Sequence, residues 1–274
     1  MNALALIIAA QLLPAGGLVR GGLADLREPR DAIGLITTTL LADPLAQRPG
    51  QRFDPSHDYS GDTQGVAQLG INIPILRVGP FTTSLQSGVI SRFRMEVSSN
   101  DALSIDYEVG FPVNYKHGNY EARVRFMHRS AHVGDEVILH EGIRRLNFDR
   151  EEINALVARR FGGLRAYLGG TKTIAGTFDD IDRHGIQAGA DAEWPVTRGF
   201  SARAGVDWQR HTLSQGSATI AAVTGISYKG KAGVLSVDLL YSDGATQLGE
   251  FFPDRERYWG GRLVFRELVR GKDD

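Results

Sequence analysis

After residue 62 this chain alternates apolar and polar residues almost one for one, again and again, and few folds accept that pattern. In LSIDYEVGFPVNYK the odd positions Leu103, Ile105, Tyr107, Val109, Phe111, Val113 and Tyr115 are apolar or aromatic, while Ser104, Asp106, Glu108, Asn114 and Lys116 are polar. Successive side chains of a strand point to opposite faces, so one face is greasy and the other charged. FTTSLQSGVISRFRME repeats the pattern, with Phe81, Leu85, Val89, Phe93 and Met95 set against Gln86, Arg92, Arg94 and Glu96. Taken through the chain, the spacing predicts twelve strands, near 30–41, 65–77, 80–96, 103–116, 120–132, 149–161, 164–174, 185–194, 199–211, 219–229, 233–243 and 257–268. Alternate connections are short, among them KHGN, FGGL and PVTRG, while others include longer ones at 42–64, 133–148, 175–184 and 244–256. Short turns at one end and long loops at the other are the arrangement of a membrane-spanning β-barrel.

A soluble sandwich or barrel also has amphipathic strands, so the question is whether the apolar face is a packed core or a lipid surface. The polar face carries charges of both signs, including Arg92, Arg94, Asp106, Glu108, Arg123 and Arg125. Such a mixture suits a barrel lumen in which charges pair. The aromatics sort by height. Phe81, Tyr115, Tyr120, Phe161, Trp194, Phe200 and Tyr228 fall on the apolar parity at short-turn ends, and Phe93, Tyr107, Phe126, Trp208, Tyr241 and Trp259 do so toward the long loops. Two rings of aromatics around a band of Val, Ile, Leu and Ala are what a membrane interface selects. The expected fold is therefore all-β: an antiparallel transmembrane barrel of about twelve strands, with short periplasmic turns and longer extracellular loops. Its expected location is the bacterial outer membrane. Membrane lipids are the expected partners, with the barrel-assembly machinery during insertion and a homodimer left open.

The N-terminus and composition fit that destination. MNALALIIAAQLLPAGGLVRG has an apolar run from Ala3 to Leu13 and a small-residue exit, so residues 1–20 read as a signal peptide and 21–274 as one barrel domain. No Lys or Arg precedes the apolar run, which leaves a buried N-terminal helix as the alternative. The absence of cysteine excludes disulfides and thiolate metal sites. A net charge of -1 gives no basic footprint for nucleic acid.

One stretch breaks the alternation. FMHRSAHVGDE, residues 126 to 136, carries His128, Ser130 and His132 at spacing two, on the parity of Tyr120, Ala122, Val124 and Phe126. Those residues are expected on the lipid face near the long-loop end. The following strand, with Ile153, Ala155, Val157 and Phe161 outward, places Asn147 on the same side by extrapolation. A serine hydroxyl becomes a nucleophile when a base takes its proton and a third group holds that base. Ser130, His128 and Asn147 supply those types; the alternative is a solvated rim with a structural histidine. His132, Asp135, Glu136, His140 and Glu141 read as polar loop residues, and FDDIDRH, with Asp179, Asp180 and Asp182, lacks the glycine and terminal Glu of a calcium loop.

The pattern resembles outer-membrane phospholipase A, a twelve-stranded barrel family whose His-x-Ser-Asn-Gly signature is followed in the next strand by Trp-Asn-Arg. The resemblance implies His128 as general base, Ser130 as nucleophile and Asn147 as the group orienting the imidazole. Here Ala131 stands where that family has Asn, and the intervening loop is longer. Asp135 and Glu136 are the candidate ligands for the calcium the resemblance implies. Lipid A deacylase is similar in its outward His-x-Ser, and that comparison assigns the acid to Glu141. Over most of its length, through LADLREPR, HRSAHVGDE and RRLNFDREE, the chain resembles a bacterial barrel family, the domain of unknown function 1207. Two functions follow as expectations: a lipid ester hydrolase acting at the rim, or a non-catalytic barrel serving as a narrow channel or as a structural or binding element.

Overall fold

A computed structural model describes residues 50–58, 63–95, 101–141, 148–177, 184–212, 218–230, 233–246 and 255–267. Its strands are β1 (Gly50–Asp58), β2 (Thr63–Val78), β3 (Phe81–Arg94), β4 (Ala102–His117), β5 (Tyr120–Val133), β6 (Phe148–Phe161), β7 (Leu164–Gly176), β8 (His184–Thr197), β9 (Phe200–His211), β10 (Ala218–Lys229), β11 (Gly233–Ala245) and β12 (Arg255–Glu267), with one short helix, α1 (Asp135–Glu141). Each strand pairs antiparallel with its neighbours, and β1 pairs with β12 through Gln51–Phe265 and His57–Trp259, which closes the barrel. Closure removes both sheet edges, as a membrane without water to satisfy them requires.

The turns at one end are two residues long where the sequence offers a glycine. Gly79, Gly118, Gly162 and Gly199 take φ of 55°, 55°, 62° and 82° there, a region that costs other residues a steric clash. At the opposite end β5 runs to β6 through α1 and residues 142–147.

Burial is inverted relative to a water-soluble barrel. On β11 Leu239 is 65% exposed, whereas Asp238 beside it is 1% exposed. The same holds around the wall, with Val113, Val124, Val157, Val206, Ile226 and Leu263 facing out and Glu108, Arg123, Arg165, Asp191, Arg203 and Arg262 buried inside. A greasy exterior and polar interior are stable only with lipid outside, so the apolar face is a membrane surface. The aromatic rings keep their expected parity: Phe81 and Tyr115 meet across β3 and β4 at 5.1 Å between centroids, and Phe200 and Tyr228 across β9 and β10 at 4.8 Å.

A buried charge is costly unless it is paired and hydrogen-bonded. Many of the lumen charges meet that condition. Asp238 accepts from Arg203 Nε at 2.7 Å and from Arg262 Nε at 2.9 Å. Asp191 accepts from Arg165 Nη2 at 2.6 Å, Glu108 is paired with Arg129, and Arg92 donates to Glu256 at 2.6 Å. Asp106 accepts from Ser104 at 2.6 Å, and Arg123 donates to Asn154 at 2.7 Å. Arg94 and Arg125 also lie on the inward parity. Tyr167 donates to Asp207 at 2.6 Å, and a Cβ on Gly189 would meet that hydroxyl at 2.3 Å, so a glycine is required opposite the ring.

Two expectations need correction. The segment 30–41, read as the first strand, lies outside the described residues, as does the apolar N-terminal run. The first described strand is β1, within the stretch read as the loop 42–64. HVGDEVILHEG, read as polar loop, contains α1; Val137 packs against Leu103 and Val133, so the helix folds onto the mouth of the barrel at β4 and β5.

Candidate functional site

The upper end of β5 lies between β4 and β6 in a register that fixes the neighbours of each polar residue. His128 stands opposite Val109 on β4 and Glu151 on β6. Ser130 stands opposite Tyr107 and Asp149, and His132 opposite Ile105. Met127, Arg129, Ala131 and Val133 are buried inward. The intervening His128, Ser130 and His132 are half-exposed on the outer face, in line with Val124, as their parity predicts.

Directly opposed residues on one face have Cβ atoms about 5 Å apart, close enough for an imidazole to meet a carboxylate. His128 Nδ1 lies 3.7 Å from Glu151 Oε1, an ion-pair distance longer than a hydrogen bond, with the two side chains 39% and 41% exposed. With the acid on the Nδ1 side, Nε2 is the nitrogen left for a neighbour on the same strand. Ser130 lies two residues along the strand on the same face, about 7 Å along the backbone by strand rise, and among the described residues it makes no hydrogen bond to His128. Asp149 is held elsewhere. Its carboxylate accepts a hydrogen bond from the Thr177 hydroxyl, its N–H donates to Thr177 Oγ1 at 3.1 Å, and the Thr177 N–H donates to its carbonyl at 3.1 Å. His132 leans its ring against Tyr107, edge-on at 6.1 Å.

The pairing of β6 with β7 shifts between Glu151 and Glu152: Glu151 faces Ala175 while Glu152 faces Thr173, so Ile174 is an extra residue. A bulge kinks its strand and re-aims side chains, and bulges gather at barrel rims. This one sits one residue pair from His128. On the inner side, Glu152 is bound by Arg150 at 3.0 Å. Consecutive glutamates therefore face opposite environments, one locked in the lumen and one at the lipid boundary.

Asn147 lies outside the described residues, as do the side chains of Glu136, His140 and Glu141. Asp135 is exposed at the first position of α1. Among the described residues no three histidine or carboxylate side chains converge on one point. Glu151 is the partner that sequence reading missed. Its position was legible, because Asp149 and Glu151 occupy the parity used to place Asn147.

A family model described as protein of unknown function (DUF1207) matches residues 3–266. No curated protein matches the chain by sequence. Among solved structures, outer membrane phospholipase A from Escherichia coli is similar at 12% identity over 81% of this chain and 94% of that one, with a TM-score of 0.56. The Salmonella typhi outer membrane phospholipase dimer with bound calcium is similar at 11% identity over 83% and 94%, again at 0.56. A KdgM porin gives 11% identity over 78% and 98%, at 0.43. At such identities the likeness lies in the fold, which is that of a bacterial outer-membrane β-barrel.

Proposed function

The chain belongs to the DUF1207 family, and from that starting point we propose that it is an integral outer-membrane hydrolase that cleaves an acyl ester of a membrane lipid at its outer rim. The observation that carries this reading is the outward His128 with a carboxylate at its Nδ1 and Ser130 two residues along the same strand. The fold it shares with outer membrane phospholipase A gives the reading further support. Ser130 Oγ attacks the ester carbonyl carbon while His128 Nε2 takes the hydroxyl proton. That proton passes to the departing alcohol as the carbon–oxygen bond breaks, leaving an acyl-serine. Water, deprotonated by the same imidazole, then releases the fatty acid.

Two groups compete for the role of holding the imidazole: Asn147 by resemblance and Glu151 by geometry. Asp135 and Glu136 remain the candidates for calcium, but Asp135 is exposed and the described residues gather no set of ligands around it, so no step is routed through a cation. A homodimer is a further proposal, by analogy with the Salmonella protein. The test is release of fatty acid from phospholipid and lipid A esters by refolded protein in detergent, with calcium and with chelator. Hydrolysis that disappears in both Ser130→Ala and His128→Ala supports the reading. Absence of hydrolysis under every condition rejects it, and activity surviving Ser130→Ala rejects the assignment of the nucleophile.

The density of paired charge in the lumen favours a second reading, a non-catalytic barrel. As a narrow channel it would need those pairs to open; as a structural or binding element it would not. Planar-bilayer conductance that changes with Arg92→Ala or Arg125→Ala would favour the channel.

A further inference from the structure

At the β11–β12 end of the rim, two arginines stand on the lipid side just beyond the aromatic belt. Arg255 and Arg257 share the outward parity of Trp259 and Leu263, and Tyr241 pairs with Trp259 directly below them in register. Asp243 holds both. Arg255 Nε and Nη2 donate to Oδ1 at 3.1 and 2.8 Å, and Arg257 Nε donates to Oδ2 at 2.8 Å. Both guanidiniums converge on the one carboxylate while their side chains stay 64% and 49% exposed. Exposed ion pairs add little to stability, so folding alone gives weak reason for the arrangement. Arg210 is exposed on the same face; it pairs with Ala218, two residues before Ile220, which pairs with Asp243.

The ligand follows from the location. A residue outward of an aromatic girdle meets lipid headgroups, and a cation there costs far less than one at the bilayer centre. The planar guanidinium fork matches phosphate oxygens, and a carboxylate that fixes two forks reduces the freedom lost on binding. We infer that Arg255 and Arg257, clamped by Asp243, bind the phosphate of an outer-leaflet lipid headgroup. This site does not depend on the hydrolase reading, because neither arginine touches His128 or Ser130 in the pairing register.

The test is native mass spectrometry of the folded full chain in detergent, titrated with bisphosphorylated lipid A, with its phosphate-free form and with inorganic phosphate. The wild-type protein is expected to retain the phosphorylated lipid about tenfold better than the phosphate-free form. The double variant Arg255→Ala/Arg257→Ala is expected to lose that preference while binding the phosphate-free lipid as before and keeping its heat-modifiable mobility on gels. Equal retention of the two lipids by the wild-type protein overturns the site outright. Full displacement of the lipid by millimolar inorganic phosphate would reassign it to the free anion and overturn the lipid assignment. Should the double variant not fold, Arg257→Gln serves in its place, and unchanged preference in that variant overturns the proposal.

Discussion

Glu152 and Glu151 are neighbours in the chain and differ in almost everything else. Glu152 points into the lumen, is buried, and is fixed by Arg150 at 3.0 Å. Glu151 points to the membrane, is half-exposed, and has a histidine at a loose 3.7 Å. The difference extends to the whole barrel. Inside, many charged side chains are buried in close ion pairs that belong to the wall; at the outer rim around β5 and β6, His128 and Glu151 stay half-exposed at a longer separation. The same residue type is buried in the lumen on one parity and half-exposed at the membrane on the other.

Unpairing the lumen is expected to have the largest effect. Asp238 is buried and accepts from both Arg203 and Arg262, so Asp238→Ala strands two buried cations. Loss of one partner from a buried pair costs about 3–5 kcal/mol. Urea unfolding in lipid vesicles is expected to show a drop of that order or a barrel that does not insert. A drop under about 1 kcal/mol, the range of exposed pairs, would mean that water reaches the lumen freely and that the inner charges are not structural.

Next in size is a charge placed on the outer wall between the aromatic belts. Leu239 lies two residues from the girdle residue Tyr241 and is among the most exposed apolar side chains. Leu239→Arg is expected to cost about 2–4 kcal/mol in vesicles, because arginine at mid-membrane must draw water and headgroups toward it. Arginine introduced at the rim costs about 0–1 kcal/mol by the same rule. If the two positions respond alike, the apolar wall does not contact lipid.

At the rim itself the contest is between Glu151 and Asn147. If the carboxylate orients the imidazole, Glu151→Gln lowers kcat by about 10- to 100-fold, less than the roughly 10⁴ seen when a buried triad aspartate is replaced, since this acid is half-exposed. Asn147→Ala then has little effect. The reverse ranking in fatty-acid release assays would give the role to Asn147, and a Glu151→Gln effect on KM alone would make the acid a contact for the substrate instead.

Much of this architecture was readable because period-two alternation is a direct imprint of a wall between two solvents. Eleven of the strand segments, the parity of the lumen charges and the outward placement of His128 and Ser130 all follow from it. What escaped had no such imprint. β1, GQRFDPSHD, has no alternation and a proline inside it; it is held by backbone pairing to β2 and β12, which leaves no trace in side-chain pattern. The α1 helix is too short for a helical period to stand out from VIL in a polar stretch. The bulge at Ile174 is a register event between two strands and is invisible in either alone. Glu151 is different: it lies on the outward parity, but its pairing with His128 is set by the register between β5 and β6, which neither strand's own sequence carries.

The smallest effect is also the most discriminating between the two sides of the wall. Ser130→Ala and His128→Ala remove polar groups that are half-exposed at the rim, with no buried partner left stranded. Surface substitutions of that kind usually move stability by no more than about 0.5 kcal/mol. The unfolding midpoint in vesicles should therefore stay where it is while hydrolysis vanishes. A loss comparable to that of Asp238→Ala would make these residues part of the wall, and the contrast between a structural lumen and a chemically available rim would fail at the place where it matters most.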